Sequence, residues 1–552
     1  MSAEDVEVLI PAATAHAELA TIKSVGLTPL AGSPVVVRTV GYLAARGFRR
    51  FTVAVPPGDD ISKILIPASV QDVDVEVIEA STPSLLHTVK LLMAGVEDGP
   101  VLVVLGDTYF EFESLGFIAD VRTTVFSADV NDPSRWCCLE VTEGDSVTWI
   151  RNKEASHRGK ATAAIGAYFF PDGRGFRDAV TDYCRDLEPD VLDLSPVLWN
   201  RVLANDLRIE RATGWLDAGH LDRAANASRS LLESRAFNSV SVNDLSGTIT
   251  KRSVHVEKIR EEVAYLEALP ADLAVFFPRL LAKDISEGSA SYTLEYYGYS
   301  TLRELYLWHQ LDVSRWQAIF IHIREIMFRA FERHQASILP EAVDEMYMGK
   351  LQRRVHELMA DPQHRNLTGQ EISVNGVVLE NVALLEPWLR QVVDEFGRSA
   401  VGQVIHGDLC FSNILYDIGS STCRFIDPRG AFGETGIYGD VRYDVSKLWH
   451  SLEGGYEQIT AGAYSLQWND LHSAEFELPL TSLQAEIRDA FAETFFAVVK
   501  EREIRVITGL IMCSIAALHS EDPRRQQALY LRGLQMLNDA KAEAEDGASI
   551  RN

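Results

Sequence analysis

Along the first hundred residues, short apolar runs alternate with stretches whose apolar positions recur every three or four residues. Val6 to Ile10, Phe51 to Val55 and Val73 to Ile78 are runs of strand length, and Val101 to Leu105 is apolar throughout. An uninterrupted run of that length fits a strand buried on both faces. Between these runs, Pro34 to Arg46 and His87 to Met93 carry helical spacing. The alternation predicts a parallel sheet covered by helices, an α/β fold of Rossmann-like type. Ligands of such sheets sit beyond the carboxyl ends of the strands, which is where Gly106-Asp107-Thr108 falls.

From residue 239 the rhythm changes. Ser239 to Val242 and Gly247 to Lys251 read as strands, and Glu257 to Leu269 as a helix with Ile259, Val263, Leu266 and Leu269 on one face. Leu302 to Leu311, Trp316 to Gln335, Glu341 to Met359, Leu384 to Phe396 and most of Ser482 to Glu545 are predicted to be helical. Val374-Asn375-Gly376-Val377 is a two-residue hairpin signal. Four segments are expected: a first domain over 1–234, a small lobe over 235–300, a helical lobe over 301–545 with an insertion around 340–400, and a frayed tail at 546–552.

The length of 552 residues agrees with two or three domains. A formal net charge of −27 would repel a polyanion, so nucleic acid is excluded as a partner. A nucleotide bound with Mg²⁺ is compatible with it, because the metal offsets charge locally. Six scattered cysteines, none in a CxxC pair, point to neither a zinc site nor a disulfide framework. No apolar run reaches membrane-spanning length, the first residues lack the form of a signal peptide, and a cytoplasmic location is expected. Oligomerisation stays open.

The chemistry is concentrated in Val404-Ile405-His406-Gly407-Asp408-Leu409-Cys410-Phe411-Ser412-Asn413-Ile414-Leu415 and the following Phe425-Ile426-Asp427-Pro428-Arg429-Gly430. One carboxylate, an amide five residues on and a second carboxylate nineteen residues on are the parts needed to move a phosphoryl group from a metal nucleotide to a hydroxyl. This pattern resembles the aminoglycoside phosphotransferase and choline kinase family, small-molecule kinases with a bilobal protein-kinase-like fold. The resemblance implies Asp408 as the base, Asn413 and Asp427 as Mg²⁺ ligands, His406 as a structural member of the loop, and ATP as the phosphoryl donor. It also implies that Lys251 and Glu262 hold the nucleotide phosphates, with Glu261 the neighbouring choice. Tyr292 to Tyr297 then form an interlobe hinge whose backbone around Glu295 and Tyr297 contacts adenine. Asp444 braces the catalytic loop, and Asp440 caps the helix that carries it. Arg429 is a candidate contact for a substrate phosphate or carboxylate. Tyr347, Lys350, Arg353 and Arg354 lie at helical spacing; a solvated face is expected, with an anion-holding face as the alternative.

In the first domain, Asp107, then Asn152-Lys153-Glu154, then Ala164 to Phe170, then Gly214-Trp215-Leu216-Asp217-Ala218-Gly219-His220 resemble the sugar-phosphate nucleotidyltransferase family over roughly 5–232. The resemblance implies Asp107 and Asp217 as metal-holding acids, Lys153 as the sugar-phosphate contact and a second NTP as substrate. Where that family carries a Gly- and Arg-rich phosphate loop, this chain has Thr14, His16 and Glu18, with Lys23 the only cation in reach. Two expectations follow for this domain: working nucleotidyl transfer, or a domain that has kept the fold and binds a sugar phosphate or acts as a scaffold. For the whole chain, the leading expectation is a bifunctional kinase and nucleotidyltransferase of surface-polysaccharide or glycoconjugate precursor synthesis, acting on a sugar, polyol or hydroxy acid. The alternatives are a kinase alone, or a binding or regulatory protein.

Overall fold

In the first unit the four apolar runs become four neighbouring parallel strands. Strands β1 (Glu7–Pro11), β2 (Arg50–Val55), β3 (Asp74–Glu79) and β4 (Val101–Val104) lie in the order β4-β1-β2-β3, with Val8 opposite both Phe51 and Leu102. Alternate side chains serve opposite faces. Leu9, Val101 and Val103 pack with Leu86, Val89 and Leu92 of helix α2 (Leu85–Leu92). Val8, Ile10, Leu102 and Val104 pack with Val36, Val40 and Leu43 of helix α1 (Val35–Ala45). Burial on both faces is why β1, β2 and β4 read as nearly continuous apolar runs, whereas β3 alternates half-buried Val75 and Val77 with exposed Asp74 and Glu76.

The computed structural model describes residues 2–549 except 15–23, 31–32, 60–61, 64–65, 67–69, 71–72, 97, 143–144, 154–158, 187–192, 220–238, 244, 287–288 and 309–310. The chain divides into two compact units, Met1–Leu231 and Leu232–Asn552. The boundary expected at 234/235 lies in 220–238, outside the described residues.

The sheet of the first unit is mixed, not purely parallel. Its nine strands include β6 (Thr123–Val130), β7 (Cys137–Val141), β8 (Val147–Asn152), β9 (Ala161–Phe170) and β10 (Leu207–Arg211). Strand β9 runs antiparallel to β4, β6 and β7, and β8 antiparallel to β7. The 142–146 connection between β7 and β8 is too short for a helical crossover, so antiparallel pairing is the available geometry there. A separate ribbon pairs β5 (Thr108–Glu111) with β11 (Gly214–Asp217) and sets Asp217 opposite Thr108. Helices α3 (Gly173–Asp186) and α4 (Ser195–Leu203) complete the unit.

The second unit begins with a four-stranded antiparallel sheet, β12 (Ser239–Asn243), β13 (Thr248–Ser253), β14 (Leu280–Ser286) and β15 (Ser289–Glu295), in the order β12-β13-β15-β14. Helix α5 (Val256–Ala268) covers it, with Ile259 and Val263 packed on Ala290, Tyr292 and Leu294. Helices follow: α6 (Val313–Glu325), α7 (Lys350–Ala360), α8 (Val382–Ser399), α9 (Val441–Leu452), α10 (Ser482–Phe495), α11 (Glu501–Ile515) and α12 (Pro523–Ser549). The single helix expected over Trp316 to Gln335 ends at Glu325 and passes through a π turn, Ile326–Ala330, into a 3-10 turn, Phe331–Arg333. A π turn at Glu345–Gly349 likewise precedes α7. The hairpin at Asn375-Gly376 forms with φ of 52° and 78°, both left-handed as a type I′ turn requires. Helix α12 runs into the stretch where a frayed tail was expected, and 550–552 lie outside the described residues. Among the described residues no helix is long and apolar enough to cross a membrane.

Candidate active site

The His-Gly-Asp segment is a turn between β16 (Gly402–Val404) and the hairpin of β17 (Ile414–Asp417) with β18 (Thr422–Phe425). Asp444, buried on α9, ties it down: the His406 amide donates to Oδ2 at 2.6 Å and the Gly407 amide to Oδ1 at 2.9 Å. Burial pushes the Asp444 carboxyl up to about 7, against these two backbone donors. Gly407 has φ +77°, and a Cβ there would meet Arg429 Cβ at 3.0 Å, so this turn requires glycine. The His406 ring is fully buried between Ile426 and its own loop. Nε2 faces the Ile426 carbonyl at 2.9 Å, and Nδ1 receives the Asp408 amide at 3.2 Å, which fixes the neutral Nε2–H tautomer. Burial holds this imidazole down at about 4.

Asp408 is half-buried and pairs with Lys447 of α9, Oδ1 to Nζ 2.8 Å. Burial opposes its ionisation, but Lys447 and Arg429 outweigh burial and hold the carboxyl well below the usual carboxylate range. Lys447 gains correspondingly: burial works against its charge, and Asp408 raises it. The Asn413 side chain donates Nδ2–H to the Asp408 carbonyl at 2.8 Å, which leaves its Oδ1 as the free acceptor end. The Ile426 amide donates to the Asn413 carbonyl at 3.0 Å, bringing Asp427 beside Asn413. Asp427 is exposed and takes φ +55°, a left-handed conformation that Asp tolerates better than most residues. An amide oxygen and a carboxylate are hard donors that suit Mg²⁺, which completes its shell with water and phosphate oxygens.

Lys251 of β13 meets Glu262 of α5 at 2.9 Å and Asp427 at 2.9 Å. Tyr292 of β15 donates its hydroxyl to Glu262 Oε2 at 2.7 Å. Burial disfavours the Lys251 charge, and Asp427 and Glu262 together raise it. Of the two candidate acids on α5, the buried Glu262 makes the pair, while the Glu261 carbonyl lies where a Cβ on Gly430 would meet it at 2.5 Å. The lysine, its helix acid and the strand-end acid expected from sequence are therefore in one place. At the end of β15 the Glu295 side chain is held by Arg279, Nε to Oε1 2.7 Å, and the Tyr297 hydroxyl donates to Glu295 Oε2 at 3.1 Å. The amides of Glu295 and Tyr296 donate to the Arg279 and Gly247 carbonyls.

Helix α7 departs from the solvated face expected of it. Of Tyr347, Lys350, Arg353 and Arg354, Arg353 alone is exposed, paired with Glu345 at 2.7 Å. Lys350 and Arg354 turn inward and are half-buried. Lys350 Nζ donates to the Tyr443 hydroxyl at 3.0 Å, and Arg429 bonds the same residue. Tyr347 is buried and donates to Asp440 Oδ2 at 3.1 Å. Asp440 also caps α9 through the Arg442 amide, 3.0 Å, and accepts the Arg442 guanidinium at 2.7 Å. Lys447 had no role in the sequence reading. Its signal was its position three residues after Asp444, which puts both on one helix face.

In the first unit, Asp107 and Asp217 converge on Gly219: a Cβ there would meet Asp107 Oδ2 at 2.5 Å and Asp217 Oδ1 at 3.2 Å. The Ala218 amide donates to the Asp107 carbonyl, 2.8 Å, and the Gly219 amide to Asp217 Oδ1, 2.8 Å. Lys153, at φ +51°, lines the same cavity of about 220 Å³, together with Arg135, Asn152, Tyr168 and Asp193. Gly106 permits close approach of the first loop, since a Cβ there would meet Ala12 Cβ at 2.6 Å. His16, Glu18 and Lys23 of that loop, with Glu154 and His220, lie outside the described residues. Among the described residues no group of three His, Cys, Asp or Glu side chains could hold a metal by itself. The six cysteines are free thiols.

No protein-family model matches the chain. Among solved structures it is similar to a Bacillus anthracis protein assigned as a glucose-1-phosphate thymidylyltransferase, solved with sucrose, at 17% identity and TM-score 0.37; the match covers 42% of this chain and 97% of that one. It is also similar to HddC from Yersinia pseudotuberculosis at 21% identity and TM-score 0.34, over 41% of this chain and 99% of that one. The same HddC complexed with GMP-PN matches at 18% identity and TM-score 0.32, over 41% and 99%. TM-scores this low add nothing to the chemistry of either site.

Proposed function

We propose that the second unit is a phosphotransferase that moves the terminal phosphoryl group of Mg²⁺·ATP to the hydroxyl of a small sugar, polyol or hydroxy acid, within a bilobal kinase-like fold. The observation that carries this is the convergence of Lys251, Glu262 and Asp427 beside the loop that presents Asp408 and Asn413. Lys251, fixed by Glu262, would hold the nucleotide phosphates. Asn413 Oδ1 and Asp427 would hold Mg²⁺, which supplies charge neutralisation when bound. Asp408, kept ionised by Lys447 and Arg429, is a weak base. Its role is to orient the acceptor hydroxyl and take its proton late, as a loose phosphoryl-transfer transition state permits. His406 and Asp444 keep the turn in shape. The backbone beyond Glu295, around Tyr297, would face the base.

For the first unit we propose a sugar-phosphate nucleotidyltransferase-like role, with Asp107 and Asp217 holding a metal on the NTP and Lys153 the sugar phosphate. A kinase makes a phosphate ester and a nucleotidyltransferase activates one, so the fusion joins consecutive steps of glycoconjugate precursor synthesis. The substitutions at Thr14, His16 and Glu18 favour a second reading, a unit that binds the ester without turning over. Two assays test the assignment: ATP consumption over a library of hydroxyl compounds, and pyrophosphate release with each NTP and candidate sugar phosphates. ATP consumption lost in Asp408→Asn, with no pyrophosphate released, would establish the second reading. No ATP consumption with any acceptor would remove the first.

A further inference from the structure

Four basic side chains from three separate segments gather near Asp408. Lys350 and Arg354 come from α7, Arg429 from the loop after Asp427, and Lys447 from α9. Tyr443 joins them, accepting from Lys350 at 3.0 Å and bonding Arg429. The charges are close enough to oppose one another. Lys350 is driven well below the ordinary lysine range by burial, then by Arg429, Arg354 and Lys447; Arg354 is lowered by burial and then by Arg429. One carboxylate, Asp408, lies inside the cluster and is taken by Lys447. Glu261 reaches Arg429 and the exposed Glu357 reaches Arg354 electrostatically, so the offset is partial. Arg354 Nη1 is enclosed and, among the described residues, has no hydrogen-bond partner.

Gathering like charges and burying a guanidinium N–H without an acceptor both cost stability. A chain of net charge −27 has carboxylates in excess to neutralise such a group, yet few are placed here. An arrangement of this kind is repaid when an anion binds, and Arg is the side chain suited to carboxylate or phosphate.

We propose that Lys350, Arg354 and Arg429 form an anion subsite for the phosphoryl acceptor, so that the acceptor carries a carboxylate or phosphate besides the hydroxyl presented to Asp408. The inference rests on the phosphotransferase reading for the word acceptor, while the subsite itself stands on geometry. It narrows the substrates to hydroxy acids, sugar acids or phosphate esters, and sets aside neutral sugars and cationic alcohols.

The test is calorimetric titration of the full chain, without nucleotide, with D-glycerate, glucuronate and glucose 6-phosphate against glycerol and glucose. Wild type is compared with Arg354→Gln and Lys350→Met. At least one anion should bind at one per chain, tenfold or more tighter than its neutral counterpart. Both substitutions should weaken it at least tenfold, which separates this site from any sugar-phosphate site in the first unit. Tighter binding of the carboxylates or of the phosphate ester tells the two acceptor classes apart. Arg354→Gln should melt no lower than wild type, because it removes an unpaired buried donor; a purely structural arginine would melt lower when lost. Equal affinity for charged and neutral compounds, anion binding that survives both substitutions, or no anion binding overturns the proposal. The phosphotransferase reading is scored separately by titrating Mg²⁺ and a non-hydrolysable ATP analogue: binding unaffected by Lys251→Met would remove that reading and leave the anion result intact.

Discussion

At the scale of single residues, the site is organised by which charges are compensated. Lys447 is the clearest case, since its ammonium stands 2.8 Å from Asp408 Oδ1 and lowers that carboxyl. In Lys447→Met the Asp408 carboxyl should titrate higher, so the acid limb of the pH profile of kcat/KM should move to higher pH. An unmoved limb would remove Lys447 from the account. His406 gives a stability prediction. Its imidazole is held at about 4 by burial, against about 6.5 in an unfolded chain. The unfolded state therefore takes up a proton first as pH falls, and the contribution of a neutral His406, complete above about pH 6.5, is lost on the way to pH 4. Denaturant unfolding should show the cost of His406→Gln shrinking across that window by about 3 kcal/mol. Asp444, pushed up to about 7, works with the opposite sign in wild type and variant alike, so the difference between the two isolates the histidine. The proximity of His406, Asp408, Asn413 and Asp427 was legible because they lie within one short stretch of chain. Lys447, Lys350 and Arg354 were not: their partners lie tens of residues away, and helical spacing cannot tell an inward basic face from a solvated one.

At the scale of elements, two close contacts hold the site together. Arg442 joins Asp440 at the start of α9 to Glu503 of α11, 3.0 Å, and to the Phe396 carbonyl of α8, 3.0 Å. Arg442→Met leaves Asp440 as a buried charge without its cation, and chemical denaturation should report a loss of about 3–5 kcal/mol. Gly430 lets the segment after Asp427 pass the backbone of α5. In Gly430→Ala the new Cβ would lie 2.5 Å from the Glu261 carbonyl oxygen, so helix or loop must shift. Titration with an ATP analogue should show weaker binding through the displaced Glu262, and unfolding a cost of about 1–3 kcal/mol. The positions of β1, β2 and β4 were legible because burial on both faces leaves a nearly unbroken apolar run, and β3 because its apolar positions alternate. The antiparallel half of that sheet was not, because pairing direction depends on connection length and on which neighbour a strand meets. The π turns at 326–330 and 345–349 left no mark in apolar spacing, since one extra residue per turn barely disturbs it.

At the scale of the whole molecule, a strongly acidic chain carries a local cationic cluster next to its candidate base. Long-range repulsion from net charge is screened within about 8–10 Å at physiological salt, so local charges outweigh net charge for what enters the site. Raising ionic strength should therefore weaken binding of an anionic acceptor more than that of a neutral one, read as the salt dependence of KM. The two units each present paired acids and a lysine, on unrelated folds, suited to a metal and a phosphate. The central claim is that the second unit transfers phosphoryl groups with Asp408 orienting the acceptor. Its most direct test is ATP-dependent phosphorylation of a hydroxyl-compound library by wild type and Asp408→Asn. The account predicts at least one phosphorylated product with wild type and a rate about 10²–10⁴-fold lower in the variant, with ATP-analogue affinity retained. Transfer by Asp408→Asn at the wild-type rate would contradict it.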